Sequence, residues 1–143
     1  MQIQQLSIFI ENKAGRLAEV TEILAKEKID IRAVSAADTS DFGILRLIVR
    51  EPQKAVPILR DAGMTVSLTN VIAIGMVDVP GAFAKAIRTL ADKGINVDYM
   101  YAFTSRDMGK ACVILRTSDN EKAIQALQAE GTEVVGPEEI YRS

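Results

Sequence analysis

The chain has 143 residues, 48% of them apolar and 25% charged, which is the balance of a globular protein rather than a disordered one. Seventeen basic against nineteen acidic residues leave a net charge of −2, without the clustered positive charge that a nucleic-acid backbone requires. The absence of histidine excludes Ser/His and Cys/His nucleophilic pairs, and the single cysteine, Cys112, leaves neither an internal disulfide nor a zinc site.

In chain order, Leu6, Ile8 and Ile10 alternate with Ser7 and Glu11, the period of a half-buried strand. A turn over residues 12–15 follows. Leu17, Val20 and Leu24 then fall on one helical face. Residues 29–37 read as a strand, 38–43 as a polar turn and 44–49 as a second strand. Ala55, Ile58, Leu59 and Ala62 mark a helix closed by Gly63, and residues 64–68 form a last strand.

The same order then starts again. Ile72, Ile74 and Met76 alternate; a turn leads to a helix carrying Phe83, Ile87 and Leu90, which Gly94 closes. Residues 95–103 and 110–115 read as strands around a turn at 104–109. A helix with Ala123, Ala126, Leu127 and Ala129 ends at Gly131, before a strand at 132–135. The apolar neighbours of Cys112 predict a buried strand position rather than a reactive thiol. Gly136 and Pro137 predict a turn into a short edge strand over 138–142.

The two series are copies. Gly15 and Gly81 lie 66 positions apart, and at that spacing Leu24 meets Leu90, Ala25 meets Ala91, Ile29 meets Ile95, Gly43 meets Gly109 and Arg50 meets Arg116. Each copy reads βαββαβ, the split βαβ or ferredoxin-like plan. This predicts an α+β protein with one domain over residues 1–69 and a second over 70–143. No Pro/Gly/Ser-rich linker separates the copies, which predicts that they pack together. Where a glycine closes the first helix of copy two, Lys28 stands in copy one, a small local penalty. No apolar stretch is long enough to span a bilayer, and Met1 leads directly into the first strand, which predicts a cytoplasmic protein without a secretory signal.

Ligand chemistry concentrates in the turn after each first strand. Asp78-Val79-Pro80-Gly81 places a carboxylate before a helix, with a proline of preset φ and a glycine where backbone must pass closely; Asn12-Lys13-Ala14-Gly15 repeats it without the proline. The first amides of a helix lack partners and attract anions. The side-chain oxygen of Asn12 or Asp78 nearby suits an ammonium group. Taken alone, each such residue reads more simply as an N-cap, and Pro-Gly as a turn. A second polar position heads an inner strand: Asp30 before Ile31, and Asn96 before Val97. Its simpler role is to satisfy local backbone groups.

An apolar strand, Asp/Asn-x-Pro-Gly-x-Leu/Phe, a helix, and Gly-Ile-Asn-Val opening a strand together resemble the ACT domain, a family of amino-acid-sensing modules found on metabolic enzymes such as aspartokinase and phosphoglycerate dehydrogenase. Asp78 to Phe83 with Gly94-Ile95-Asn96-Val97 matches nearly in full; copy one departs at Ala14 and at Lys28-Ile29-Asp30. The resemblance covers essentially the whole chain and implies a stand-alone regulatory pair without catalytic residues, metal or cofactor. It implies two domains side by side in an eight-stranded antiparallel sheet with helices on one face, and a free amino acid bound where the loop of one domain meets the second strand of the other. Carried over by position, the ligand-binding set is Asn12, Ala14, Gly15, Arg16, Leu17, Asp30 and Ile31 in copy one. In copy two it is Asp78, Pro80, Gly81, Ala82, Phe83, Asn96 and Val97. Asn12 and Gly15 with Asn96 form the better pairing, because Asp78 with Asp30 sets two carboxylates against an anionic head. The resemblance also implies a homodimer and a metabolic-enzyme partner, while the charge balance and the short apolar stretches predict no nucleic-acid or membrane partner. The competing function is an interaction subunit that binds no metabolite. Catalysis is the weaker alternative, since Tyr99, Tyr101, Arg106 and Asp107 form no acid/base pair.

Overall fold

In the computed structural model, the structure describes residues 1–38, 41–105 and 110–142. The element order is β1 (Ile3–Glu11), α1 (Arg16–Lys26), β2 (Ile31–Asp38), β3 (Phe42–Val49), α2 (Pro52–Asp61), β4 (Thr65–Met76), α3 (Ala82–Asp92), β5 (Val97–Ser105), β6 (Lys110–Thr117), α4 (Asn120–Ala129), β7 (Glu133–Val135) and α5 (Pro137–Arg142). The βαββαβ plan therefore occurs twice, as read. The chain divides into two compact units, Gln4–Thr69 (the N-terminal unit) and Asn70–Ser143 joined by Met1–Ile3 (the C-terminal unit). The first residues join the second unit through side chains: Gln2 Nε2 donates to Glu121 Oε1 at 2.8 Å, and Asn120 Nδ2 donates to Gln2 Oε1 at 3.1 Å.

In the N-terminal unit β3 lies between β2 and β1, antiparallel to both, with Leu6 opposite Leu47 and Ile8 opposite Leu45. These four side chains share the face that packs on Val20 and Leu24 of α1 and Leu59 of α2; all seven are fully buried. Burying a leucine or isoleucine contributes about 1.5–3 kcal/mol each, so this layer is the main source of cohesion. The C-terminal unit repeats it. Ile72 and Ile74 of β4 pair with Leu115 and Val113 of β6, and together they pack on Ala86 and Leu90 of α3 and Leu127 of α4. β5 flanks β6 on one side, and β7 pairs with β4 on the other. Both second strands bulge at the same place, between Ile31 and Ala33 and between Val97 and Tyr99.

All four long helices end alike. The amides of Ile29, Met64, Ile95 and Thr132 reach back to Leu24, Leu59, Leu90 and Leu127 at 2.9–3.0 Å, each across a residue of positive φ. That residue is glycine at 63, 94 and 131, and Lys28 (φ 57°) in the remaining case. The lysine thus holds the left-handed conformation that its sequence position implies.

Two expectations are corrected. The strands expected at 64–68 and from Ile72 are one continuous strand, β4; residues 67–71 contain no glycine or proline to break it. The described residues accordingly form seven strands, not eight. The segment after Gly136 is a helix, α5, rather than an edge strand: Pro137 occupies its first position and Glu138 and Glu139 its first turn, and Ile140 is fully buried. Cys112 is buried on β6 as read, and burial pushes its thiol up to about 11. Of the turn expected at 104–109, Thr104 and Ser105 belong to β5 instead, and 106–109, with Arg106 and Asp107, lie outside the described residues, as do 39–40 of the turn expected at 38–43. No helix among the described residues is long and apolar enough to cross a membrane.

Candidate functional site

The two loops that open α1 and α3 are superposable in their bonding. The amide of Lys13 donates to Glu11 O (2.9 Å), Arg16 to Lys13 O (3.3 Å) and Glu19 to Gly15 O (3.0 Å). Val79, Ala82 and Lys85 repeat these bonds to Val77, Val79 and Gly81 at the same lengths. Gly15 (φ 91°, ψ −18°) and Gly81 (φ 90°, ψ −13°) are the residues before each helix, both left-handed, which explains the glycine at both positions. A Cβ at either would meet nothing within 4 Å, so the space beside the helix start is open.

Asn12 and Asp78 are not caps. Neither helix start has a side-chain capping bond, and among the described residues no hydrogen bond or ion pair engages either side chain. No bond among the described residues reaches the amides of Leu17 and Ala18, or of Phe83 and Ala84, as is usual for a first helical turn. Each loop therefore presents unbonded amides and an uncommitted polar side chain. Ala14 and Pro80 occupy the turn before the glycine, and Ala82 is the first residue of α3. Arg16 is committed locally, its guanidinium 3.1 Å from Glu19 and 4.0 Å from Glu11. Leu17 and Phe83 are part-exposed at 47% and 38%.

Beside the first loop lies a hollow of about 350 Å³ bounded by Ile10, Asn12, Leu17, Ala36, Asp38 and Gly43. A larger one, about 570 Å³, adjoins the second loop, where Met76, Asp78 and Ala82 meet Lys85, Lys110 and Glu133. In that hollow the cations are already paired. Lys110 Nζ donates to both oxygens of Glu133 at 2.5 and 2.6 Å, which raises its pKa, and Lys85 Nζ donates to Glu130 O at 3.3 Å.

The strand-head residues lie elsewhere. β1 ends beside the start of β3 and the end of β2, whereas Asp30 precedes the start of β2. Within one unit, Asp30 is thus a full strand length, roughly 25 Å, from Asn12. Asn96 and Asp78 are separated in the same way along β5, β6 and β4. No single unit joins its loop to its own strand head. Both strand-head side chains are also engaged locally across the bulge: Arg32 donates to Asp30 Oδ2 at 2.5 Å, and Asn96 Nδ2 to Asp98 Oδ1 at 3.1 Å. Asn96 further exchanges backbone bonds with Ser118, whose Oγ accepts from the Asn96 amide at 3.0 Å. Ile31 and Val97 pack partly buried against their cores. Asp38 is the residue that sequence reasoning missed. It reads as turn chemistry, and only the register that sets it opposite Gly43 brings it beside the loop.

The comparisons with known proteins agree with this architecture. The ACT domain pair model matches residues 1–142, and the chain belongs to that family. A protein of Bacteroides thetaiotaomicron with a solved structure is 42% identical, with a TM-score of 0.93 over 100% of this chain and 98% of that one. The ligand-free regulatory subunit of aspartate kinase from Thermus thermophilus has the same fold at 20% identity, TM-score 0.64, over 90% of this chain and 92% of that one. A Porphyromonas gingivalis protein described as a putative C-terminal regulatory domain of aspartate kinase is similar at 20% identity, TM-score 0.54, over 90% of this chain and 93% of that one. No curated protein matches the chain. ACT domain pairs are regulatory modules rather than catalytic ones. Among the described residues, no group of three histidine, cysteine, aspartate or glutamate side chains is placed to hold a metal.

Proposed function

We propose that this chain is a cytoplasmic regulatory module that binds a free amino acid through the loop opening α1, with Asn12 and Gly15 as its central residues. The observation that carries this reading is the loop itself: an open left-handed glycine, unbonded first-turn amides and an uncommitted Asn12 side chain, beside a hollow of about 350 Å³. A ligand carboxylate suits the amides, and an ammonium suits the oxygens of the rim. The fold is also that of aspartate kinase regulatory chains, and the regulated partner by analogy is a metabolic enzyme. Regulation follows by linkage: a ligand shifts the partner only as far as it prefers one conformation over another.

A thermal-shift screen against the common amino acids tests the reading. A ligand at 100 times its dissociation constant adds about 2.7 kcal/mol to folding stability. No shift with any of them favours an interaction subunit that binds no metabolite. Asn96→Ala tests separately whether the strand head takes part. Loss of its charge-assisted hydrogen bond is expected to weaken binding about tenfold or more, and an unchanged affinity removes Asn96.

A further inference from the structure

Resting on that reading, we infer that the hollow of the N-terminal unit selects an α-amino acid with an uncharged aliphatic side chain, and that Asp38 holds its ammonium group. The register fixes which side chains face the hollow. Ile10 and Asp38 both pair with Gly43, and Ala36 pairs with the core residue Leu45, so these positions lie on the face that carries α1. Ile10, Leu17 and Ala36 supply apolar wall, and Asn12 and Asp38 supply the polar edge.

Gly43 keeps the hollow open. Its φ is outside the left-handed region, so the backbone does not require glycine there. A Cβ would instead stand 3.6 Å from Ile10 Cγ1 and 3.4 Å from the carbonyl of Ala37, on the floor of the hollow. Ala36, next to it on the edge strand and exposed, is the other small residue on that face.

Charge decides the class. Glu11 is paired with Lys13 at 2.9 Å and lies 4.0 Å from Arg16, which also holds Glu19, so these charges are spent on one another. Asp38 is the lining charge without a hydrogen bond or ion pair among the described residues. One carboxylate beside an apolar wall suits one ammonium and a neutral side chain; a second anionic group would face the carboxylate of Asp38. The positions equivalent to Leu17 and Asp38 in the other copy are Phe83 and Thr104, which supply more bulk and no carboxylate. The selectivity therefore belongs to the N-terminal unit.

Calorimetric titration of the whole chain with L-leucine, L-isoleucine, L-valine, L-glutamate and L-lysine tests this. At least one aliphatic amino acid is expected to bind tenfold or more tightly than glutamate or lysine. Ala36→Leu, which fills the hollow from an exposed position, and Asp38→Asn, which removes the carboxylate, are each expected to weaken it tenfold or more while unfolding cooperatively. Preference for glutamate or lysine overturns the inference but leaves amino-acid binding standing. Aliphatic binding that is indifferent to both variants moves the site elsewhere and also overturns it. Absence of binding by every common amino acid overturns the proposed function with it.

Discussion

The two units have the same interior and different exteriors. Inside, the correspondence is nearly residue for residue: Leu24 and Leu90 are both fully buried, the loops share one bonding pattern, and the second strands bulge at the same position. Outside, the sheet face turned away from the long helices diverges. Phe9 is half exposed in the N-terminal unit and tilts against Phe42, their ring centroids 5.5 Å apart. Its counterpart is Gly75, where a Cβ would stand 2.8 Å from Glu133 Oε2 and 3.2 Å from Lys110 Cε. The Lys110–Glu133 pair is laid across the strand there, and Glu139 of α5 lies 3.9 Å from the same lysine. The duplicated chain has kept what folding needs and changed what its surface presents.

The sharpest way to break that comparison is through the cores. Leu24→Ala and Leu90→Ala each delete a fully buried side chain from an equivalent place, and each is expected to cost about 2–5 kcal/mol by denaturant unfolding. A much smaller cost in one unit denies that the interiors are equivalent.

A smaller effect is expected at the helix ends. Lys28 at φ 57° does the work that Gly94 does at φ 70°. Lys28→Gly is expected to stabilise the protein by roughly 1 kcal/mol, less the small attraction between a lysine and a helix C-terminus. Gly94→Lys is expected to lose a similar amount. Measured changes of the opposite sign contradict the shared capping geometry.

A pH-dependent effect concerns Cys112, whose position in the first copy is Arg46. Its thiol, raised to about 11 by burial, keeps its proton where an unfolded thiol (about 8.5) has lost it. That contribution to stability is complete below the unfolded value and is lost as pH rises toward about 11. The stability gap between wild type and Cys112→Ala is therefore expected to narrow between pH 8 and pH 10.5. Parallel curves contradict a proton held by burial.

Most of the fold was legible because duplication repeats its punctuation. Gly15 with Gly81 and Gly63 with Gly131 fix the same turns twice, and alternation at Ile8 and Ile74 fixes the same strands. Two features escaped that logic. Continuity of β4 depends on there being no breaker between Ser67 and Val71, which strand-by-strand reading passes over. Pro137 with Glu138 and Glu139 is a helix start, but the segment has no counterpart in copy one to compare. At the candidate site, the glycines and Asn12 were legible from local sequence. Asp38 was not, because its neighbour Gly43 is set by strand register and not by spacing along the chain.

Everything functional here depends on the loop that opens α1 gripping an amino acid, and one paired titration tests it directly. The amino acid that stabilises wild type most is titrated into Asn12→Ala and into Asp78→Ala. The account predicts a loss of tenfold or more in Asn12→Ala and a distinctly smaller change in Asp78→Ala. Equal affinity in wild type and Asn12→Ala contradicts it.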